Sequence, residues 1–514
     1  MNANRWRRAR QSIQILSTAL FFLLALLTYR GFESLVPLDL YFRLNPLVAF
    51  GAMLAARAVI WALLLALAAV VFGFVFGRAW CGWLCPLGAL LDWFSPHALR
   101  RIEARANRRA IKYVLLLIVF FSALLGNLSL MILDPLTLLN RTFSSVFVPA
   151  LNVVVVSIET ALYPIAPPLQ PAFDWIEQNW RGTLLPAQQT FYQLSWMLAL
   201  VFVGVVALNW VAPRFWCRYL CPLGAIYALQ ARIAWLKPRA VNECSRCAAC
   251  MRVCPTGAIT VAQEGFAVDP AECVVCMDCV PACPESVIEF RFGARRSAVG
   301  SQRSARQRVD LTRRHLISSA LASIGAVALF RSAPSASRDD PWLVRPPGAR
   351  DNSFLAKCIR CAECSKICPT GVLQPSLFES GLEGFWTPIL YSRLGYCDYS
   401  CNACGQVCPT GAIPPLTLEQ KRQNVIGTAY IDENRCIPWA SYRQCVVCEE
   451  MCPVPDKAIK LEAVDLISPD GKKVHVQRPH VVADMCICCG ICEYKCPLTG
   501  PAAIRVYAPT PALA

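Results

Sequence analysis

The chain has 514 residues, 56% of them hydrophobic and 16% charged, and 50 Lys and Arg against 34 Asp and Glu give it a net charge of +16. A soluble domain carries about 25% charged residues, so this deficit and the positive mean hydropathy exclude an ordinary soluble enzyme and place long stretches in lipid. The basic excess flanks apolar segments, which marks membrane topology rather than nucleic-acid binding.

Four uncharged apolar stretches, 12–29, 58–77, 113–133 and 194–212, approach or cross a hydrocarbon core of about 30 Å at 1.5 Å per residue. A weaker run, 143–158, contains Pro149 and reads as interfacial or as part of an outer loop. Positive charge collects in the N-terminal tail (Arg5, Arg7, Arg8, Arg10), at 100–112 after the second stretch, and at Arg214, Arg218, Arg232, Lys237 and Arg239 after the fourth. Cytoplasmic loops keep such an excess, so the N-terminus and the segment after the fourth helix lie inside. Residues 1–240 are thus expected to form a polytopic α-helical membrane module, in a multidomain protein that also carries two α+β ferredoxin-like domains.

Residues 241–295 hold Cys244-x2-Cys247-x2-Cys250-x3-Cys254-Pro and Cys273-x2-Cys276-x2-Cys279-x3-Cys283-Pro, the two-cluster ferredoxin pattern. In that pattern three thiolates of a run wrap one [4Fe-4S] cube and the fourth ligates the other. Cys244, Cys247, Cys250 and Cys283 are assigned to one cluster, and Cys273, Cys276, Cys279 and Cys254 to the second. Segments 258–269 and 287–292 read as short strands over them. Zinc explains neither the third and fourth cysteines nor the proline of each run.

Residues 296–350 comprise a basic Ser-rich linker, a twin-arginine-like Thr312-Arg313-Arg314 followed by an apolar stretch at 316–330, and a Pro-rich tether. The stretch reads as a fifth crossing; a buried hairpin helix is the alternative, because 15 residues is short for spanning. Everything beyond it is then exported. Residues 351–514 carry four further runs: Cys358, Cys361, Cys364 and Cys368; Cys397, Cys401, Cys404 and Cys408; Cys436, Cys445, Cys448 and Cys452; Cys486, Cys489, Cys492 and Cys496. Cys488 is out of register and reads as a small buried residue beside a cluster.

A repeat stands apart from these runs. Trp80-Cys81-Gly82-Trp83-Leu84-Cys85-Pro86-Leu87-Gly88-Ala89 recurs as Trp216-Cys217-Arg218-Tyr219-Leu220-Cys221-Pro222-Leu223-Gly224-Ala225. Each copy has too few thiols for a cluster, but a pseudo-symmetric pair of helix ends brings four together: Cys81, Cys85, Cys217 and Cys221. A shared iron-sulfur site is the first reading, ahead of redox-active thiols, zinc or another metal, and packing alone. Trp80, Trp83, Trp216 and Tyr219 flank the thiols and are candidates for a quinone pocket, although interfacial aromatics are commonly anchors. Asp134 and Asp92 are candidate proton acceptors, each read first as a helix-end residue. Arg246, Arg252, Lys357, Arg360 and Lys366 lie within cluster runs as potential-raising or merely solvated charges. The four histidines, His97, His315, His475 and His480, lie outside the spanning stretches, and neither Cys-x2-Cys-His nor Gly-x-Gly-x2-Gly occurs, so neither haem nor a nicotinamide is expected.

The segment Leu394-Gly395-Tyr396-Cys397-Asp398-Tyr399-Ser400-Cys401-Asn402-Ala403-Cys404-Gly405 and the Cys436-Ile437-Pro438-Trp439 stretch resemble the periplasmic four-cluster ferredoxins of the NapG and MauM type. The membrane half, with its paired Cys-x3-Cys-Pro motifs and terminal ferredoxin, resembles NapH and more distantly NosR. The whole is similar to a NapH-NapG fusion. This resemblance implies a quinol dehydrogenase of the bacterial inner membrane, with a cytoplasmic two-cluster domain and a periplasmic four-cluster domain. Electrons from the quinol pool would pass through six [4Fe-4S] clusters to a periplasmic c-type cytochrome or terminal reductase in anaerobic respiration, alongside other membrane subunits. It also implies nested ligation, the first exported run sharing with the fourth and the second with the third. Competing readings are a membrane ferredoxin reductase for copper-site maturation, a conduit fed by a cytoplasmic donor, and a redox-sensing scaffold.

Overall fold

The computed structural model describes residues 3–28, 37–95, 109–165, 167–181, 185–186, 189–240, 244–245, 247–262, 265–293, 313–331, 342–349, 353–467 and 471–508. The basic linker, Thr312, the first half of the tether, Arg246, His97 and most of the 100–112 basic loop lie outside them. Two compact units result, and they do not follow chain order: one comprises Met1–Ala25, Leu35–Thr142 and Trp196–Val327, the other Leu26–Ser34, Phe143–Ser195 and Ala328–Ala514.

The first unit is helical with a ferredoxin packed on it. Asn45 starts the helix Pro46–Ala56 by accepting from the Leu47 and Val48 amides, with proline in the first turn where its missing N–H costs nothing. The helix Ala66–Phe76 ends at Gly77, which has φ 65°. The apolar stretch 113–133 is not one helix: Ile111–Leu124 stops before Gly126 (φ 76°), and a 3-10 turn, Ser129–Leu133, follows. Asp134 then opens the next helix, accepting from the Thr137 amide at 2.9 Å and the Leu136 amide at 3.1 Å while Asn45 Nδ2 donates to it at 2.7 Å. It is a buried helix cap.

Among the described residues two helices are long and apolar enough to cross a membrane, Arg5–Leu27 and Pro135–Leu162, with shorter apolar ones at Pro46–Ala56, Trp61–Phe76, Ile111–Leu124, Ser195–Val211 and His315–Leu329. The 143–158 run therefore belongs to a continuous helix. A π turn, Phe143–Phe147, loosens the hydrogen-bond ladder just where Pro149 has no N–H to give, so the proline is carried without a break. The helix Arg313–Arg331 packs through Ser323, whose hydroxyl donates to the Ile118 carbonyl at 3.2 Å.

The ferredoxin of this unit pairs Ile259–Ala262 with Gly265–Val268 and Ile288–Phe292 with Leu236–Ala240, both antiparallel. Its attachment is ionic. Glu272 meets Lys112 Nζ at 2.6 Å and Arg78 at 3.1 Å, all three side chains buried. Burial alone would raise the Glu272 carboxyl, yet the two cations hold it below the ordinary range.

In the second unit the hairpins Leu373–Pro375 with Pro388–Leu390 and Ile459–Ile467 with Lys473–Val481, and the pair Thr428–Ile431 with Ile504–Tyr507, frame a core that includes Val372, Leu390, Ile426 and Ile504. Residues 143–195 join this unit instead of the helices flanking them in sequence. Tyr192 donates to the Ser365 carbonyl at 2.9 Å, and Gln374 bonds both the Phe191 carbonyl and the Gln193 amide.

Glu272→Ala leaves two buried cations without their shared anion, a loss of about 3–5 kcal/mol by analogy with broken buried pairs. The expected outcome is a lowered melting temperature and earlier proteolytic release of the 244–293 segment, and Glu272→Asp should recover part of both.

Candidate iron-sulfur centres

In all six cysteine runs the third cysteine sits on a one-turn helix: Cys250, Cys279, Cys364, Cys404, Cys448 and Cys492. Where the first two cysteines are two residues apart, the residue after the second takes a left-handed conformation, as at Ala248 (φ 57°), Met277 (61°), Ala362 (67°) and Gly490 (79°). That turn curls the backbone around the centre, so that three side chains point to one side. In the two runs with wider first spacing, Asn402 and Val446 keep ordinary φ values of −130° and −121°, because the extra residues make the turn instead. After the fourth cysteine, Cys-Pro-Thr-Gly reverses the chain at Gly257, Gly371 and Gly411, each with positive φ where a side chain would be strained.

The thiols gather in fours, each fourth member donated across. Cys283 lies by Cys250 and Cys244, and Cys254 by Cys273, Cys276 and Cys279. Cys408 lies by Cys358, Cys361 and Cys364, and Cys368 by Cys397, Cys401 and Cys404. Cys496 lies by Cys436, and Cys452 by Cys489. The nested pairing is therefore incorrect: the first exported run shares with the second and the third with the fourth. The cause is local. A hairpin between the runs of each pair returns the chain on itself, and closing that short loop costs less than joining the outer runs.

These sets suit a cube better than a single ion. Among the described residues no three His, Cys, Asp or Glu side chains converge on one metal position, whereas a cube spreads its thiolates over separate irons. Backbone amides also reach the sulfurs: Ala258 to Cys254 at 3.2 Å, Val287 to Cys283 at 3.4 Å and Ile413 to Cys408 at 3.4 Å. Such bonds stabilise negative charge on sulfur and tune potential.

The charged residues of the runs divide. Arg252 is exposed, but Arg360 is buried and bonds the carbonyls of Cys358, Phe385 and Glu383, while buried Lys366 pairs with Glu363 at 2.7 Å. Lys421 was not anticipated. It lies on Leu418–Gln423, a helix started by a Thr417/Gln420 capping box, and it is buried beside Cys397. The Thr-x2-Gln signature was legible in sequence; the contact was not. Cys488 is fully buried in the apolar core, with its thiol 3.7 Å from the Tyr507 carbonyl.

The repeated motifs form one buried assembly. Trp80–Leu84 and Trp216–Leu220 are both π turns, and Cys85 and Cys221 are N-caps of the helices Pro86–Trp93 and Pro222–Ala231. All four cysteines are buried, Cys85 and Cys221 lying within electrostatic reach of the others. The clamp that joins the halves is reciprocal. Arg78, three residues before Cys81, donates to the Cys217 carbonyl at 3.1 Å; Arg214, three before Cys217, donates to the Cys81 carbonyl at 3.0 Å. Both arginines are fully buried, and Arg214 is paired with Asp92, which also accepts from Gln14. The repeat extends upstream to these arginines, a signal that counting topology charges conceals.

The ferredoxin seats on this assembly. A Cβ at Gly82 would lie 2.1 Å from the Val274 carbonyl oxygen, Trp83 Nε1 donates to the Val275 carbonyl at 2.9 Å, and Arg10 reaches the Cys276 carbonyl at 3.2 Å. The second copy has Arg218 where the first has Gly82, and its guanidinium lies under the Gly257 turn. Of the four aromatics proposed to meet a quinone, Trp83 holds the ferredoxin loop, Trp80 stacks on Tyr227 at 6.1 Å, Tyr219 packs on Phe215, and Trp216 is buried.

Models of a 4Fe-4S binding domain match residues 58–104 and 194–240, and models of 4Fe-4S dicluster domains match 243–287 and 357–413, the latter spanning the first two exported runs. Fold, thiol sets and these matches define a ferredoxin-type iron-sulfur protein of electron transfer, built from several cluster-binding domains. Methylamine utilization ferredoxin-type protein MauM of Methylorubrum extorquens is 32% identical over 203 residues, 38% of this chain and 88% of the relative. Ferredoxin-type protein NapG of Escherichia coli is 35% identical over 165 residues, 31% of this chain and 68% of the relative. Ferredoxin-type protein NapH of Haemophilus influenzae is 26% identical over 260 residues, covering 48% and 74%. The chain belongs to the family of NapG and MauM ferredoxin-type proteins, joined to a NapH-like portion. No solved structure matches it.

The pairing is testable. Cys408→Ser should abolish the [4Fe-4S] EPR signal that Cys361→Ser also abolishes, and leave the signal sensitive to Cys401→Ser; the nested arrangement would dissociate Cys408 from Cys361. Lys421→Gln should lower the potential of the centre held by Cys397, Cys401 and Cys404, on the order of 50–100 mV for one nearby charge at a protein dielectric, as read by potentiometric EPR titration.

Proposed function

We propose that the chain is a quinol dehydrogenase of the bacterial cytoplasmic membrane. Its N-terminus and two-cluster ferredoxin face the cytoplasm and its four-cluster region the periplasm. The six cysteine sets would each hold a [4Fe-4S] cluster, which supplies one-electron chemistry. Quinol oxidation releases two electrons and two protons, and the electrons leave for a periplasmic c-type cytochrome or terminal reductase. The chain's own part is to fix the order of the centres, keep water from them, and set their potentials by charge and hydrogen bonding.

The observation that carries this reading is the contact of Gly82 and Trp83 with the loop between Cys273 and Cys276. It ties a helical unit that exposes large apolar side chains, among them Trp61, Leu67, Val71, Leu200 and Trp210, to an iron-sulfur relay. Apolar surface on that scale marks a membrane or protein interface.

Low-temperature EPR of anaerobically purified protein should develop reduced [4Fe-4S] signals on addition of a reduced menaquinol analogue. Signals that arise with dithionite but not with quinols of suitable potential would point instead to a cytoplasmic donor or to a maturation reductase. Asp134→Asn, which keeps the helix cap, should leave quinol-dependent reduction unchanged.

A further inference from the structure

We infer that Cys81, Cys85, Cys217 and Cys221 together bind a seventh iron-sulfur cluster, two thiolates from each copy of the repeat, seated against the cluster loop of the neighbouring ferredoxin. This deepens the reading of the chain as an electron-transfer protein. Each copy alone offers two thiols, and the reciprocal Arg78 and Arg214 bonds to the Cys217 and Cys81 carbonyls hold the two copies together. Four buried thiols with no disulfide between them are an inventory of soft ligands. The Gly224 amide already donates to Cys221 Sγ at 3.2 Å, as amides do at the ferredoxin cysteines.

A second observation points to an occupant. Tyr227 is fully buried, stacks on Trp80, and lies beside Cys81 and Cys85. Its hydroxyl finds no hydrogen-bond partner among the described residues. A buried hydroxyl without a partner is costly, and a cluster sulfur or thiolate beside it would accept a hydrogen bond from it. Arg214 is neutralised by Asp92, but Arg78 and Lys112 share the single anion Glu272, which leaves one positive charge to offset part of the negative charge that a four-thiolate cluster carries. A zinc ion fits less well, because among the described residues no three ligating side chains converge on one point.

The test is iron and acid-labile sulfide per full-length chain, purified anaerobically, with zinc measured in parallel. Wild type should hold about 28 irons and Cys81→Ser/Cys217→Ser about 24, at four irons per cluster. About 24 irons in both would overturn the proposal, as would one zinc per chain lost in the variant. Tyr227→Phe, which keeps every thiol, should retain about 28 irons and lower the midpoint potential of one EPR centre, the one missing from the double variant. An unmoved potential would overturn the placement beside Tyr227. None of these readings needs quinol: 28 irons with no quinol-driven reduction would sink the dehydrogenase reading alone, and 24 irons with quinol-driven reduction would sink only the seventh cluster.

Discussion

Two guanidinium groups with no access to water hold the helical unit in register. A buried cation left without a partner is costly, so each must find an anion and acceptors inside the fold. Arg214 takes Asp92 and the Cys81 carbonyl; Arg78 takes Glu272, the Ala271 carbonyl and the Cys217 carbonyl. Each arginine thus places a bond on the other copy of the repeat, Arg214 finding its anion there and Arg78 a carbonyl, so parting the halves would strand the Arg214 charge and break both crossing bonds. Arg78 reaches further, into the residues just before Cys273. One side chain therefore fixes both the pairing of the thiol motifs and the seat of the ferredoxin.

The glycines follow from that constraint. Gly88 lies under the Cys81 carbonyl, where a Cβ would come to 2.6 Å, and Gly224 holds the equivalent place under Cys217 at 3.4 Å. The copies differ where the ferredoxin demands it: Gly82 lets one loop close in, and Arg218 supports another. An internal repeat has become asymmetric at the positions that touch a third element. This is how a pseudo-symmetric helical pair presents a single docking face for one ferredoxin domain.

How much of this could be read from the chain varies with the range of the interaction. Cysteine spacing is local, so the runs and the strands near 259–268 and 288–292 were legible, while the one-turn helices that carry each third cysteine were not anticipated. Which run lends its fourth cysteine to which depends on the hairpin between them, and a resemblance to nested relatives misled. Helix continuity failed at two points for opposite reasons: Gly126 breaks an apolar run, and a π turn carries Pro149 through another. Arg78 and Arg214 look in sequence like ordinary topology charges beside a membrane stretch. Only their burial and their crossing contacts separate them from Arg232 or Lys237, and burial is a property of the fold. Arg360 and Lys366 repeat the lesson in the other unit.

Sequential sharing has a consequence for conduction within the four-cluster region. Cys364 neighbours Cys404, the Cys397 amide donates to the Cys489 carbonyl at 2.7 Å, and Cys492 neighbours Cys448. The sets therefore run in series from that of Cys358 through those of Cys397 and Cys486 to that of Cys436, so the last two come in the reverse of their chain order. Tyr192 seats residues 143–195 at the first pair of sets. At the far set Trp439 is covered by Arg478 at 4.3 Å and edged by His480 at 5.3 Å, both on the long hairpin. A series keeps these two surfaces at its two ends, which is what a relay between distinct donors and acceptors requires.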